Sequence, residues 1–178
     1  LAIINDILDI SRIEAGKMPL TVSEFAVRDL ITEVLAEVEP IIARSRLSVT
    51  SHLPDDLPLI KTDRQKVKQI VINFLTNAIK FTAQGSVDIG VQHVKDTDFM
   101  LVSVADTGIG IAPADQERIF EDFRQADNSP TREYAGAGLG LAICRRLAGM
   151  LDGRIELTSD LGRGSTFTVR VPREVKRV

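Results

Sequence analysis

The chain has 178 residues, 44% hydrophobic and 26% charged, with a formal net charge of −3. That is enough chain for one ordinary core with a short appendage, and its mixed charge argues against a nucleic-acid surface. No apolar run approaches the ~20 residues of a membrane span, and no secretory leader is read.

The sequence opens at Leu1 inside a helical pattern, as expected of a piece cut from a longer chain. Ile3, Ile4, Ile7, Leu8 and Ile10 make an apolar stripe over residues 1–15 too rich for a lone surface helix, so it calls for a partner helix. Gly16 and Pro19 close this segment and set the one internal boundary. A short strand is expected over 19–23, then a helix over 26–45 through Val27, Leu30, Ile31, Val34, Leu35 and Val38, bent or broken at Pro40. Strands follow over 47–52 and 59–62, and Asp63 is placed to cap a long helix to residue 81. Alternating strands over 87–94 and 99–105 flank the turn KDTD, and two more, 154–158 and 165–171, flank LGRG. Between the two pairs lie some thirty Gly-rich, irregular residues, the pattern of a functional loop or lid. Helices and strands do not alternate one for one, which favours a mixed sheet with helices on one face, an α+β fold.

Cys144 sits within a helical apolar pattern and is expected to be a core thiol in a reducing compartment. Arg145 with Arg146, and Lys176 with Arg177, read as solvated helix face and tail.

The chemistry concentrates in three places. In FMLVSVADTGIGIA, strand alternation puts Asp106 on the same face as Met100, Val102 and Val104. A carboxylate there needs donors: an exocyclic amine of a ligand would serve, and so would the amides of the following turn. Gly108 and Gly110 admit positive φ or close approach of a flat ligand. On the long helix, Asn73, Asn77 and Lys80 fall within roughly 60° on the helical wheel, beside an apolar face of Val67, Val71, Phe74, Leu75 and Ala78. That stripe suits a hydrated Mg²⁺ and its phosphates, and equally suits a solvated helix face. In YAGAGLGLAICRRLAG, Gly136, Gly138 and Gly140 run into a helix whose free N–H groups form an anion site, unlike a Lys-bearing P-loop or a dinucleotide fingerprint. Ser165 shares its strand face with Phe167, Val169 and Val171, and its hydroxyl there needs a partner.

NFLTNAIKFT, DTGIGI, FEDF and GAGLGL, in this order and spacing, resemble the N box, first glycine box, F box and second glycine box of sensor histidine kinases, within the ATPase superfamily that also holds gyrase, Hsp90 and MutL. INDILDISRIEAGKM is similar to the end of the second helix of their dimerisation and histidine-phosphotransfer domain. The resemblance implies a two-layer α/β sandwich of Bergerat type over residues 19–178, with a lid at about 122–137, preceded by a truncated helix and linker over 1–18. It implies that ATP binds between sheet and lid, with Asp106 accepting the adenine amine while Gly108 and Gly110 let the backbone pass the base. Asn77 would hold Mg²⁺ with help from Asn73, and Lys80 would meet phosphate, Asn73 and Lys80 being the catalytic residues. Phe81 would pack near the nucleoside, Ser165 would assist Asp106, and Gly136, Gly138, Leu139, Gly140 and Leu141 of the second glycine box would hold the nucleotide. Phe120 and Phe123 would anchor the lid, with Gln125 or Arg132 swinging toward the γ-phosphate.

The usual GGTGLGL reads AGAGLGL, with Ala135 and Ala137 in place of Gly and Thr, and neither His52 nor His93 matches the phosphoacceptor box. The expected activity is transfer of the ATP γ-phosphoryl to a histidine outside this chain, in a two-component phosphorelay. The expected partners are its own phosphotransfer domain, a response-regulator receiver domain and a second copy of the full-length protein. Residues 1–178 would be a cytoplasmic portion of that protein, any membrane anchor lying elsewhere. A gyrase-type ATP hydrolase would require a general-base glutamate where Asn73 stands, since an amide cannot take a proton from water. A degenerate signalling module would use the fold for protein contacts alone; Asn77, Asp106 and the glycines speak against it, the two alanines for it.

Overall fold

The computed structural model describes residues 2–122 and 139–176, with the side chains of residues 2 and 3 left aside. In chain order it has α1 (Ala2–Glu14), β1 (Val22–Phe25), α2 (Val27–Arg44), β2 (Leu47–His52), β3 (Ile60–Asp63), α3 (Arg64–Lys80), β4 (Gly85–Val94), β5 (Phe99–Asp106), α4 (Gly140–Met150), β6 (Arg154–Asp160) and β7 (Gly164–Pro172). Short 3₁₀ turns at Pro113–Asp115 and Arg118–Phe120 follow β5.

Five strands form one sheet in the order β2-β4-β5-β7-β6, and β1 pairs with β3 in a separate ribbon. The β2–β4 pair is parallel and the others antiparallel, so the sheet is mixed. Helix α3 packs on the sheet with α2 and α4 beside it. It buries Val67, Ile70, Val71, Phe74, Leu75, Ala78 and Ile79. At ~1.5–3 kcal/mol for each large side chain removed from water, this stripe dominates the helix's attachment. Beneath it, cross-strand partners stack in rows: Met100 with Val171; Val91, Val102, Val169 and Ile155; Ile89, Val104, Phe167 and Leu157. The alternate residues, such as Gln92, Arg154 and Thr158, face solvent.

Asp63 caps α3 as expected, its Oδ1 accepting from the Lys66 amide at 3.2 Å. Its Oδ2 accepts from the Thr21 amide at 2.8 Å. Lys66 Nζ holds the Pro19 carbonyl, also at 2.8 Å. Residues 19–21 are thus pinned to the start of α3, and the first strand begins at Val22, three residues later than its sequence pattern predicts. Of the bend or break expected at Pro40, the break is not found: helix α2 runs through Pro40 to Arg44. Cys144 is buried as expected, and burial pushes its thiol pKa up, leaving it a packing group. On α1, Ile10 is buried, with α1 packed against α4, while Ile4, Ile7 and Leu8 remain exposed. No described helix is long and apolar enough to cross a membrane.

Candidate functional site

The apolar rows of the sheet end in a polar one. Val87, Asp106, Ser165 and Ser159 are successive cross-strand partners on the face that carries the core. Asp106 Oδ1 accepts from the Gly108 amide at 2.9 Å and the Ser165 amide at 3.3 Å. Oδ2 accepts from no described residue. Burial raises the Asp106 pKa above the ordinary carboxylate value, against the pull of those amides and of Thr82. Ser165 reaches Asp106 through its amide, while its hydroxyl pairs with Ser159 Oγ at 2.8 Å. Ser159 Oγ in turn accepts from the Ile111 amide at 2.8 Å.

The space beside the two glycines after Asp106 is filled by the protein itself. A Cβ on Gly108 would lie 2.3 Å from the Phe81 carbonyl oxygen and 2.9 Å from Asp106 Oδ1. Gly110 has φ +68°, and a Cβ there would lie 2.0 Å from the Asp160 carbonyl oxygen. Gly162 N–H donates to the Ile109 carbonyl at 2.6 Å, so this turn is stitched to the β6–β7 turn. Packing within the chain therefore accounts for both glycines.

Asn73, Asn77 and Lys80 lie half-buried on one edge of α3. Asn77 Nδ2 donates to Asn73 Oδ1 at 3.1 Å, which leaves Asn77 Oδ1 as the oxygen of the pair with no partner among the described residues. Lys80 has no carboxylate partner among the described residues, and burial lowers its pKa. Its Nζ sits 5.2 Å from the centroid of the Phe81 ring. Phe81 ends α3 with its amide bonded to the Asn77 carbonyl at 3.0 Å, and its own carbonyl accepts from Ile109 N–H at 3.2 Å. The end of α3 is thereby tied to the turn that follows Asp106.

Helix α4 begins at Gly140, directly against the amide pair: a Cβ there would lie 2.3 Å from Asn73 Nδ2. Leu139 is buried in the core, so only its backbone is left for a ligand, while Leu141 is partly buried against that core. Phe120 packs edge-on to Phe167 at 6.3 Å, and Phe167 lies 5.4 Å from Phe74. Phe123, Gln125, Arg132, Gly136 and Gly138 lie outside the described residues, as does the lid beyond Asp122.

The sequence profile of the histidine kinase-, DNA gyrase B-, and HSP90-like ATPase family matches residues 62–175, from the end of β3 past the end of β7. The chain belongs to this family. Among kinases of the family, it is 39% identical to sensor histidine kinase RcsC of Escherichia coli (strain K12) over 97% of this chain and 18% of that protein. It is 40% identical to circadian input-output histidine kinase CikA of Synechococcus elongatus over 98% of this chain and 23% of that protein. The chain thus spans about a fifth of the length of these relatives. Its structure is similar to full-length ShkA in complex with AMPPNP, with TM-score 0.87 and 33% identity over 96% of this chain and 35% of that one. The catalytic domain of histidine kinase ThkA aligns with TM-score 0.74 and 27% identity over 86% of this chain and 99% of that one. The two-layer α+β architecture is that of these kinase catalytic domains, preceded here by helix α1.

Three residues at or beside the candidate site escape a reading of the sequence. Thr82 is buried beside Asp106, and Ser159 partners Ser165. Arg146, expected on a solvated face, forms a forked ion pair with Asp122 at 2.7 and 3.0 Å and reaches Glu14 of α1 at 3.3 Å. Its neighbour Arg145 lies over the Phe120 ring at 5.7 Å. For Ser159, strand parity with Ser165 was an available signal; the other two depend on contacts between distant segments.

Proposed function

We propose that residues 19–178 are the ATP-binding catalytic domain of a two-component sensor histidine kinase, and residues 1–18 the end of the second helix of its dimerisation and phosphotransfer domain. The observation that carries the reading is the stitching of three elements around one cleft: β5 ends in Asp106, its turn is bonded to Phe81 at the end of α3, and α4 starts against Asn73. Asp106 Oδ2 is the acceptor for the adenine amine. Lys80, half-buried and unpaired with any described carboxylate, attracts phosphate.

The donor set suits Mg²⁺, a hard cation that prefers oxygen and keeps water ligands. Asn77 Oδ1 is the ligand the chain offers, oriented by the hydrogen bond its own Nδ2 gives to Asn73. The cation, when bound, neutralises charge on the phosphates as the transfer proceeds. Asn73 holds Asn77 in place and activates no water, because an amide is no base at neutral pH. The chain thus positions an electrophile for a histidine supplied from outside. An imidazole nitrogen bonds to the γ-phosphorus as the bridging oxygen leaves with ADP. Ile4, Ile7 and Leu8, exposed on α1, supply an apolar seam for dimerisation of the longer protein, and a receiver domain is the onward acceptor.

The test mixes this chain, Mg²⁺-ATP and a separate protein bearing the phosphotransfer hairpin with its histidine. Acid-labile phosphohistidine on that partner, lost with Asn77→Ala, is the expected result. Robust ATP turnover by the chain alone would establish a hydrolase instead. Tight ATP binding without transfer would reduce the domain to a signalling module.

A further inference from the structure

Thr82 follows the last turn of α3 and is 3% exposed. Its Oγ1 is one of two buried side-chain polar atoms among the described residues with no hydrogen-bond partner, the other being Thr62 Oγ1. Buried hydroxyls are rarely left orphaned, and each exception asks for a reason. The surroundings supply one. The point where a Cβ on Gly108 would lie is 2.7 Å from Thr82 Oγ1 and 2.9 Å from Asp106 Oδ1, so the two oxygens border the same small space. The Thr82 methyl lies 3.8 Å from where a Cβ on Gly85, the first residue of β4, would lie.

We propose that Thr82 is a positioning residue for base recognition: its hydroxyl donates to Asp106, directly or through one water, and keeps that carboxylate ionised and aimed at the exocyclic amine of the base. The inference rests on the ATP-binding reading of Asp106. It goes beyond that reading in giving the carboxylate a side-chain donor on the α3–β4 connection.

The groups facing Asp106 leave few other donors. From β4 it meets Val87, and from β7 Ser165, whose hydroxyl is already engaged with Ser159 of β6. The turn after β5 gives the Gly108 amide, and the end of α3 gives Thr82. The Gly108 amide, the Ser165 amide and Thr82, in that order, favour the ionised form against burial; no charged side chain, Lys80 included, is among the groups that shift it. Thr82 Oγ1 makes no hydrogen bond as it stands, while it borders the same space as Asp106 Oδ1. A turn of the side chain about χ1, or a bridging water, would complete the bond.

The test replaces Thr82 by valine, equal in shape, and by serine, which keeps the hydroxyl. The pKa of Asp106 is read by carboxyl carbon NMR in the chain without nucleotide, and Mg²⁺-ATP affinity is measured across pH. A carboxylate acceptor binds in its ionised form, so affinity is full above the Asp106 pKa and falls as pH drops through it. Thr82→Val should raise that pKa, and the pH at which affinity fades, by about one unit, making binding about tenfold weaker within that window. Thr82→Ser should restore both. A folded valine variant with the wild-type pKa and the wild-type affinity profile would overturn the inference. Should valine prevent folding, Thr82→Ala, which only removes atoms, carries the same comparison. The NMR readout does not depend on nucleotide: a wild type that binds no ATP at any pH would remove the proposed function, while the Asp106 pKa alone would still decide the role of Thr82.

Discussion

Replacing Gly140 by alanine separates what α4 does for the fold from what it does for the site. The added Cβ would lie 2.3 Å from Asn73 Nδ2 and 3.1 Å from both Cγ and Oδ1, so it meets the whole amide. Backing off to an ordinary contact of about 3.4 Å requires a displacement of about 1 Å, which a two-torsion side chain can make. The cost is the Asn77–Asn73 hydrogen bond, roughly 0.5–1.5 kcal/mol. Against it stands the better helix propensity of alanine, up to ~1 kcal/mol. Net stability should therefore stay within about 1 kcal/mol of wild type. Asn77, released from its anchor, no longer presents Oδ1 in a fixed direction. Misplacing that contact to the charged Mg²⁺-triphosphate should cost roughly 1.5–3 kcal/mol, a loss of about 10- to 150-fold in affinity. Thermal unfolding and titration calorimetry with Mg²⁺-ATP measure the two quantities on one sample. Unchanged affinity would refute the claim that Asn73 holds Asn77 in place for the nucleotide. A collapse in unfolding temperature would mean that Gly140 serves packing instead.

Asp106→Asn exchanges a charged acceptor for a weaker amide and should lower ATP affinity by roughly 1.5–3 kcal/mol in calorimetry, with unfolding little changed. Arg146→Ala should release Asp122 and Glu14 together; the partly exposed pairs are worth roughly 0.5–1 kcal/mol, so the sensitive measure is faster hydrogen exchange in both residues 2–14 and 118–122. Glu33, held at a pKa of about 2 by Arg64 and Lys68, ties α2 to α3. Its depressed carboxyl contributes stability above the ordinary value of 4.5 that is lost as pH falls toward 2, so Glu33→Gln should lower the urea midpoint at pH 7 and converge on wild type in acid.

Much of this molecule is legible in the sequence because its signals are local. Strand parity placed Met100, Val102, Val104 and Asp106 on one face, and all four lie there. Helical spacing likewise set Asn73, Asn77 and Lys80 beside the buried face of α3. What stayed hidden depends on residues far apart in the chain. The partners that pin residues 19–21, Asp63 as acceptor and Lys66 as donor, lie at the start of α3, forty-odd positions later, so periodicity could not delay the first strand to Val22. Gly110 takes the positive φ that is one of its two expected uses, but the contacts that crowd Gly108 and Gly110, from Phe81 and from Asp160 fifty residues away, carry no local signal. Arg146 has the pattern of a solvated helix residue until Asp122 and Glu14 arrive from two other segments. The Thr82 hydroxyl carries no periodic signal at all, since it follows a helix end in a connection too short to show one.

The row that holds Asp106 is the last rung of the ladder that forms the core, and this divides the labour of the sheet. Rows of valine, isoleucine, leucine and phenylalanine supply the cohesion, while one row of an aspartate and two serines supplies the chemistry. A slip of β5 by one residue against its neighbours would turn the carboxylate to solvent together with Met100, Val102 and Val104, so the core enforces the register of the site. The converse freedom is useful for redesign. Asp106, Ser159, Ser165 and Thr82 form a compact set that could be exchanged to accept a different base edge, with the hydrophobic rungs beneath them left untouched.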